Sequence, residues 1–196
     1  MQFMYLDLEW VGIPGNSNPY NDKLITIQYQ YLNPRTWEPR SRLRILKEWD
    51  YKVGGEKQIL REFWNSINKN YSEIPKTTVI GQGIVYDKEI LRIKLKRYKL
   101  FKNNITPWDF LNKWLYVDTR SMLVLLNNGI FKGSGLHNWT DKKMSGFNIH
   151  ELYKQKKFEE IEEYIRVETN EFLKLLKNLK DKLRRIGRDM KKINNK

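Results

Sequence analysis

The run Phe3-Met4-Tyr5-Leu6-Asp7-Leu8-Glu9-Trp10 constrains the fold of this chain more than any other stretch. Six of its eight residues are apolar or aromatic, which reads as a buried strand. Side chains on a strand alternate between faces, so Asp7 and Glu9 share one. They project together from the end of a strand that belongs in the middle of a sheet. Two adjacent carboxylates repel and are costly to desolvate. A divalent cation is the usual reason to tolerate such a pair. A polar strand end that frays into solvent is the other reading.

A chain of 196 residues suits one domain with at most a small appendage. The expected division is a globular domain over 1–186 and a basic tail over 187–196. Hydrophobic content of 40% and charged content of 31% fit a soluble globular protein. No apolar run is long enough to span a bilayer, so no membrane partner is expected. The chain enters its first strand without a basic-then-apolar leader, and the expectation is a soluble, intracellular, cytoplasmic protein. The lack of cysteine excludes disulfides, zinc-thiolate sites and cysteine nucleophiles. With only His137 and His150, a multi-histidine metal site is not expected.

The net charge of +14 is concentrated. Segment 88–102 holds seven Lys/Arg against one Glu, and segment 174–196 holds ten against two Asp. Together they account for the whole excess. Localised positive charge of this kind reads as a polyanion footprint, with nucleic acid favoured over a merely solvated lysine-rich surface. A membrane-surface helix is disfavoured, because the apolar stripe of the last helix is needed for the core.

Strands are expected over 2–9, 23–32 and 42–49, joined by turn-rich links at 11–22 and 33–41, which suits an antiparallel meander. A helix over 56–71, a strand over 77–82, a helix from about 87 to 99, a strand over 114–118 and a helix over about 119–127 follow. An irregular segment spans 129–147. A long helix starts near 155, and its end past Gly187 is expected to fray. This order reads as an α/β fold with a mixed sheet.

Gly81-Gln82-Gly83-Ile84-Val85-Tyr86-Asp87 joins the fourth strand to a helix. Its glycines permit a tight turn and close backbone approach. Asp87 opens the helix, either as a simple N-cap or as a functional acid. The long helix carries an apolar stripe through Phe158, Ile161, Ile165, Phe172, Leu176, Leu179 and Leu183. The stripe's next position after Ile165 is occupied by Glu168, whereas Glu159, Glu160, Glu162 and Glu163 read as solvated. Tyr164 lies one turn before Glu168, within reach of the same pocket. A carboxylate on a core-facing stripe needs a cation or hydrogen-bond donors, and a Lys or Arg partner remains open beside a metal.

Asp7-x-Glu9, Gly81 to Asp87, and Tyr164-x3-Glu168 together resemble the three exonuclease motifs of the DEDD 3′–5′ exonucleases, tyrosine subtype. That group includes the exonuclease domain of family B DNA polymerases and ribonuclease D. Val117-Asp118-Thr119, followed by a helix and Gly135-Leu136, is similar to the segment between their second and third motifs. The resemblance covers about residues 2–180 and implies a ribonuclease-H-like fold with a mixed five-stranded sheet flanked by helices. It also implies a metal-dependent nuclease that hydrolyses single-stranded DNA or RNA from the 3′ end. By the same resemblance, Asp7, Glu9, Asp87 and Glu168 would hold two Mg²⁺ or Mn²⁺ ions and Tyr164 would orient the attacking water. Trp10 would stack on the terminal base, while Lys88, Arg92, Lys96, Arg184, Arg185 and Arg188 would track phosphates.

Three positions depart from the family's pattern. Glu168 stands where Asp is usual, Trp10 where Thr follows the first Glu, and Gly83 where Asn is usual. The longer Glu168 implies a preference for Mn²⁺ over the geometrically stricter Mg²⁺. The alternative function is nucleic-acid binding on an exonuclease fold that has lost catalysis.

Overall fold

The computed structural model describes residues 2–13, 18–67, 77–100, 106, 111–140 and 148–194. Five strands form one sheet: β1 (Gln2–Val11), β2 (Lys23–Leu32), β3 (Arg44–Lys47), β4 (Thr77–Gly81) and β5 (Leu115–Asp118). Their order is β3-β2-β1-β4-β5. The first three pair antiparallel, and β4 and β5 run parallel to β1. This is the mixed five-stranded sheet expected, with β1 at its centre and the meander as read.

Alternation along β1 divides the core in two. Met4, Leu6 and Leu8 face α1 (Gly55–Ile67) and α2 (Ile84–Arg97), packing with Ile59, Leu60 and Phe63 of α1 and Ile90, Leu91 and Leu95 of α2. Phe3 and Tyr5 face the other way. There they meet Leu123 of α3 (Thr119–Leu126) and Phe172, Leu175, Leu176 and Leu179 of α5 (Phe158–Asn194). Ile161, Tyr164 and Ile165 of α5 close over Ile25, together with Ile149 and Leu152 of α4 (Asn148–Lys154). So α5 lies along the face that carries Asp7 and Glu9.

Several boundaries differ from the reading of the sequence. Strand β3 is shorter than 42–49 and gives way to a 3-10 turn at Glu48–Asp50. Helix α1 is described to Ile67, and 68–71 fall outside the described residues. Helix α2 starts at Ile84, so Asp87 stands within its first turn; the cap position belongs to Gly83, at φ 74. The last helix begins at Phe158 rather than near 155, after Lys156 takes a left-handed φ of 56, and a separate short helix, α4, that the sequence reading does not place precedes it. The α5 backbone continues through Gly187 to Asn194. Leu183 is 42% exposed and lies off the buried stripe, while Thr169 joins it at 1%.

The basic segment 88–102 is not all surface. Lys94 is buried and pairs with Glu56 of α1 at 2.9 Å. Its ammonium also donates to the backbone carbonyl of Asp22, and Tyr98 donates to Glu56. Glu56 further accepts from the Leu24 amide at 2.8 Å. With each charge hydrogen-bonded, the pair locks α2, α1 and the start of β2 together rather than facing a polyanion.

Candidate metal centre

Pairing of β1 with β4 covers Gln2–Tyr5 and stops there, while pairing with β2 continues to Val11. Asp7 and Glu9 therefore lie beyond the end of the parallel pairing, beside the turn that leads into α2. Antiparallel register sets Asp7 opposite Gln28 and Glu9 opposite Thr26. Directly opposed side chains on one face are close enough to interact. The Gln28 amide donates to Asp7 Oδ2 at 2.8 Å, and the Thr26 hydroxyl donates to Gln28 Oε1 at 2.9 Å. Tyr5, two residues before Asp7, donates its hydroxyl to the same Oδ2 at 3.4 Å and accepts from Thr169 at 3.4 Å. Burial, reinforced by the charges of Asp7 and Glu168, pushes the Tyr5 phenol well above its usual range, so it remains a donor.

Glu168 arrives from α5. One carboxylate oxygen each from Asp7, Glu9 and Glu168 lie within 4.8 Å of one another, and all three residues are half-buried. Tyr164 is almost wholly buried one turn earlier and donates to Glu168. Burial and then the charges of Glu9 and Glu168 push its phenol far above the usual range. A phenol held neutral in this way donates a hydrogen bond and does not act as a base.

Asp87 stands outside that group of three but in the same electrostatic neighbourhood. It is 2% exposed, and its Oδ2 is buried with no hydrogen-bond partner among the described residues. Burial, and then the charges of Asp7, Asp118 and Glu168, push its carboxyl well above the usual carboxylate range. The turn that delivers it is specified by two glycines. A Cβ on Gly81 would stand 2.5 Å from the Leu6 carbonyl oxygen, so only glycine lets β4 end this close to β1. Gly83 adopts a left-handed conformation and donates its N–H to Asp118 Oδ1 at 2.9 Å. The same Asp118 oxygen accepts from the Arg120 amide at 2.9 Å and caps α3. Thr119 Oγ1 lies 3.1 Å from the Gly81 carbonyl and 2.7 Å from Gln82 Oε1.

The structure thus brings Asp7, Glu9, Tyr164 and Glu168 together, with Asp87 buried alongside. Residues that the sequence patterns do not single out, Gln28, Thr26, Tyr5 and Thr169, orient the acids, and Asp118, of the Val117-Asp118-Thr119 segment, fixes the turn. A signal for Gln28 is present in the alternation Thr26-Ile27-Gln28-Tyr29-Gln30, whose polar members share the face of Asp7. A cluster of hard carboxylate oxygens and one orphaned buried carboxylate oxygen fit Mg²⁺ or Mn²⁺ by donor chemistry.

The remaining candidates are dispersed. Trp10 packs at the edge of the opposite core, its ring 5.1 Å from that of Tyr86. Lys88 donates to Asn112 at 2.9 Å and stands 4.7 Å above the Tyr116 ring, and Arg92 pairs with Glu89 at 2.8 Å. Lys96 is exposed. Arg184, Arg185 and Arg188 line an open depression along α5 with Asp181. Since α2 and α5 cover opposite faces of the sheet, the two basic sets do not form one surface.

No protein-family model and no curated protein matches the chain. Among solved structures it is similar to Escherichia coli exonuclease I in complex with a 5cy-dA13 oligonucleotide, at 19% identity and a TM-score of 0.42 over 66% of this chain and 31% of that one. It is also similar to the moderately thermophilic exonuclease I of Methylocaldum szegediense, at 19% identity and a TM-score of 0.46 over 64% of this chain and 29% of that one. The chain therefore spans under a third of the length of these structures. At that likeness they assign no role to any side chain here.

Proposed function

We propose that this protein is a divalent-metal-dependent nuclease that removes nucleotides from the 3′ end of single-stranded DNA or RNA. The observation that supports this most is the convergence of Asp7, Glu9 and Glu168 within 4.8 Å, beside a buried Asp87 with an unpartnered oxygen. Three carboxylates at one spot, two of them from the sheet's central strand, with a fourth buried nearby, have no economical structural purpose without cations.

In this reading Asp7, Glu9, Asp87 and Glu168 hold two Mg²⁺ or Mn²⁺ ions. When bound, the ions supply activation of a water nucleophile and neutralisation of charge on the leaving oxygen. The protein's own contribution is orientation. Gln28 and Tyr5 both donate to Asp7 Oδ2 and so fix the plane of that carboxylate. Tyr164, neutral and hydrogen-bonded to Glu168, positions both that carboxylate and the attacking water. The Asp118 contact holds the Gly83 turn and so the reach of Asp87.

The test uses single strands labelled at either end, incubated with Mg²⁺, Mn²⁺ or EDTA. Stepwise shortening from the 3′ end with either ion, abolished by EDTA, is expected. Absence of product with both ions, from protein that still binds the strand, overturns catalysis and leaves a nucleic-acid-binding protein on this fold.

A further inference from the structure

The β2–β3 connection and the flank of α5 beside its buried stripe enclose a groove of about 460 Å³. Trp37, Glu38 and Pro39 form one wall, and Val167, Asn170, Glu171, Leu173, Lys174 and Lys177 the other. At its near end Val167 and Asn170 flank Glu168 of the acidic cluster. At 1.5 Å rise per residue, Lys177 lies ~13 Å and Arg184 ~24 Å along α5 from Glu168. The groove thus leads away from the cluster toward the arginines of the C-terminal half.

Within the groove Glu38 and Glu171 balance Lys174 and Lys177, with Lys174 paired to Glu171 at 2.6 Å, but the segments that form its walls are strongly basic. Residues 33–42 and 171–188 contain ten Lys/Arg against three acids, a net +7 that is half of the chain's +14. Arg35, Arg40, Arg42, Lys174 and Lys177 are exposed. The connection is clamped to the helix: Lys180 donates to the Thr36 carbonyl at 2.6 Å and Arg184 to that of Arg35 at 3.3 Å. Beside these clamps Trp37 takes a φ of 64, rare for a large side chain, and its half-buried ring rests 5.9 Å from Phe3. An aromatic ring lining a groove whose flanks carry exposed cations is an arrangement that can stack a base while the cations follow the backbone.

We infer that this groove binds the stretch of a single nucleic-acid strand preceding the 3′ end, with Trp37 stacking on a base and Arg35 and Lys177 contacting phosphates. The inference rests on the nuclease reading and deepens it by giving the substrate a path. It also separates two features that the sequence merges, since the cations come from the β2–β3 connection as well as from the last helix.

The experiment measures binding of labelled oligonucleotides to the full chain by fluorescence anisotropy in EDTA, so that it does not depend on hydrolysis. The probes are a thymidylate dodecamer, a thymidylate dimer and an abasic dodecamer. The unsubstituted protein should bind the thymidylate dodecamer tightest. Trp37→Ala should weaken that binding ~10-fold or more and remove the advantage over the abasic strand. Because Trp37 also touches Phe3, the second variant avoids the core: Arg35→Ala with Lys177→Ala should make the slope of log K against log salt shallower by ~1.4. Unchanged affinity and slope in the double variant overturns the proposal, as does an abasic strand bound as tightly as thymidylate. Loss of phosphatidylglycerol-vesicle binding in the double variant, with strand binding intact, assigns the groove to membranes and also overturns it. Failure of hydrolysis with this binding intact would overturn the nuclease reading alone.

Discussion

Asp87 carries a heavy electrostatic burden. It is buried, one of its oxygens has no partner among the described residues, and three other carboxylates surround it. Its folded pKa is raised, so the native state binds a proton more tightly than the unfolded chain. The metal-free protein should therefore lose stability as pH rises from the unfolded carboxylate range through the raised value, and gain it in reverse. Asp87→Asn should flatten that dependence and raise the metal-free Tm by several degrees at neutral pH, at ~2–4 °C per kcal/mol for a chain of this size. Thermal unfolding across pH in EDTA reads this directly, and a lower Tm in the variant would show that the carboxylate is satisfied without metal. Asp7 and Glu9 carry the complementary expectation. Their replacement by Ala should cut hydrolysis by ~10²-fold or more with the fold retained, checked by circular dichroism and by turnover of labelled strands. Glu168 gives the third expectation at this scale. Its longer arm suits the more tolerant Mn²⁺ over Mg²⁺, and Glu168→Asp should narrow the ratio of the two rates.

At the scale of elements, the β4–α2 turn decides whether these acids meet. Its two glycines are needed for different reasons, and substitution separates them. Gly83 is left-handed, but a Cβ there meets nothing within 4 Å. Gly83→Ala should cost only backbone strain, ~1–2 kcal/mol, and a few degrees of Tm. Gly81→Ala would drive a methyl group to 2.5 Å from the Leu6 carbonyl oxygen and should force β4 away from β1. A larger fall in Tm, with a disproportionate loss of activity, is expected for Gly81→Ala; equal effects would mean that the turn relaxes freely. What the sequence reveals follows the same physics. Strand alternation exposes the Asp7–Glu9 pair, and a break in a helical stripe exposes Glu168, because both patterns are local. The start of α2 is harder to read because Asp87 looks like a cap, whereas the left-handed turn at Gly83 begins the helix one turn earlier. Lys94 reads as surface charge because its burial depends on Glu56, which is distant in the chain and adjacent only in the fold.

For the whole molecule, the long α5 divides into two working halves. Its first half supplies Ile161, Tyr164, Ile165, Glu168, Phe172, Leu175, Leu176 and Leu179 to the core and the acidic cluster. Past Lys180 its described surface turns outward: Leu183, Arg184, Arg185 and Arg188 are all exposed. Core stability and polyanion affinity should therefore be separable by where the helix is cut. Truncation after Ile186 removes Arg188, Lys191, Lys192 and Lys196 and the single acid Asp189. Arg188, the one side chain described among them, is exposed. The truncated protein should keep its Tm within a degree or two. Its affinity for single strands should fall for all sequences alike, because phosphate contacts carry no base information. The slope of log K against log salt should become shallower by ~0.7 for each phosphate that the tail no longer neutralises. A truncation that leaves the slope unchanged would confine strand binding to the first part of α5 and the β2–β3 connection. One that lowers Tm steeply would show that the helix end supports the fold, and the division of α5 into two halves would fail.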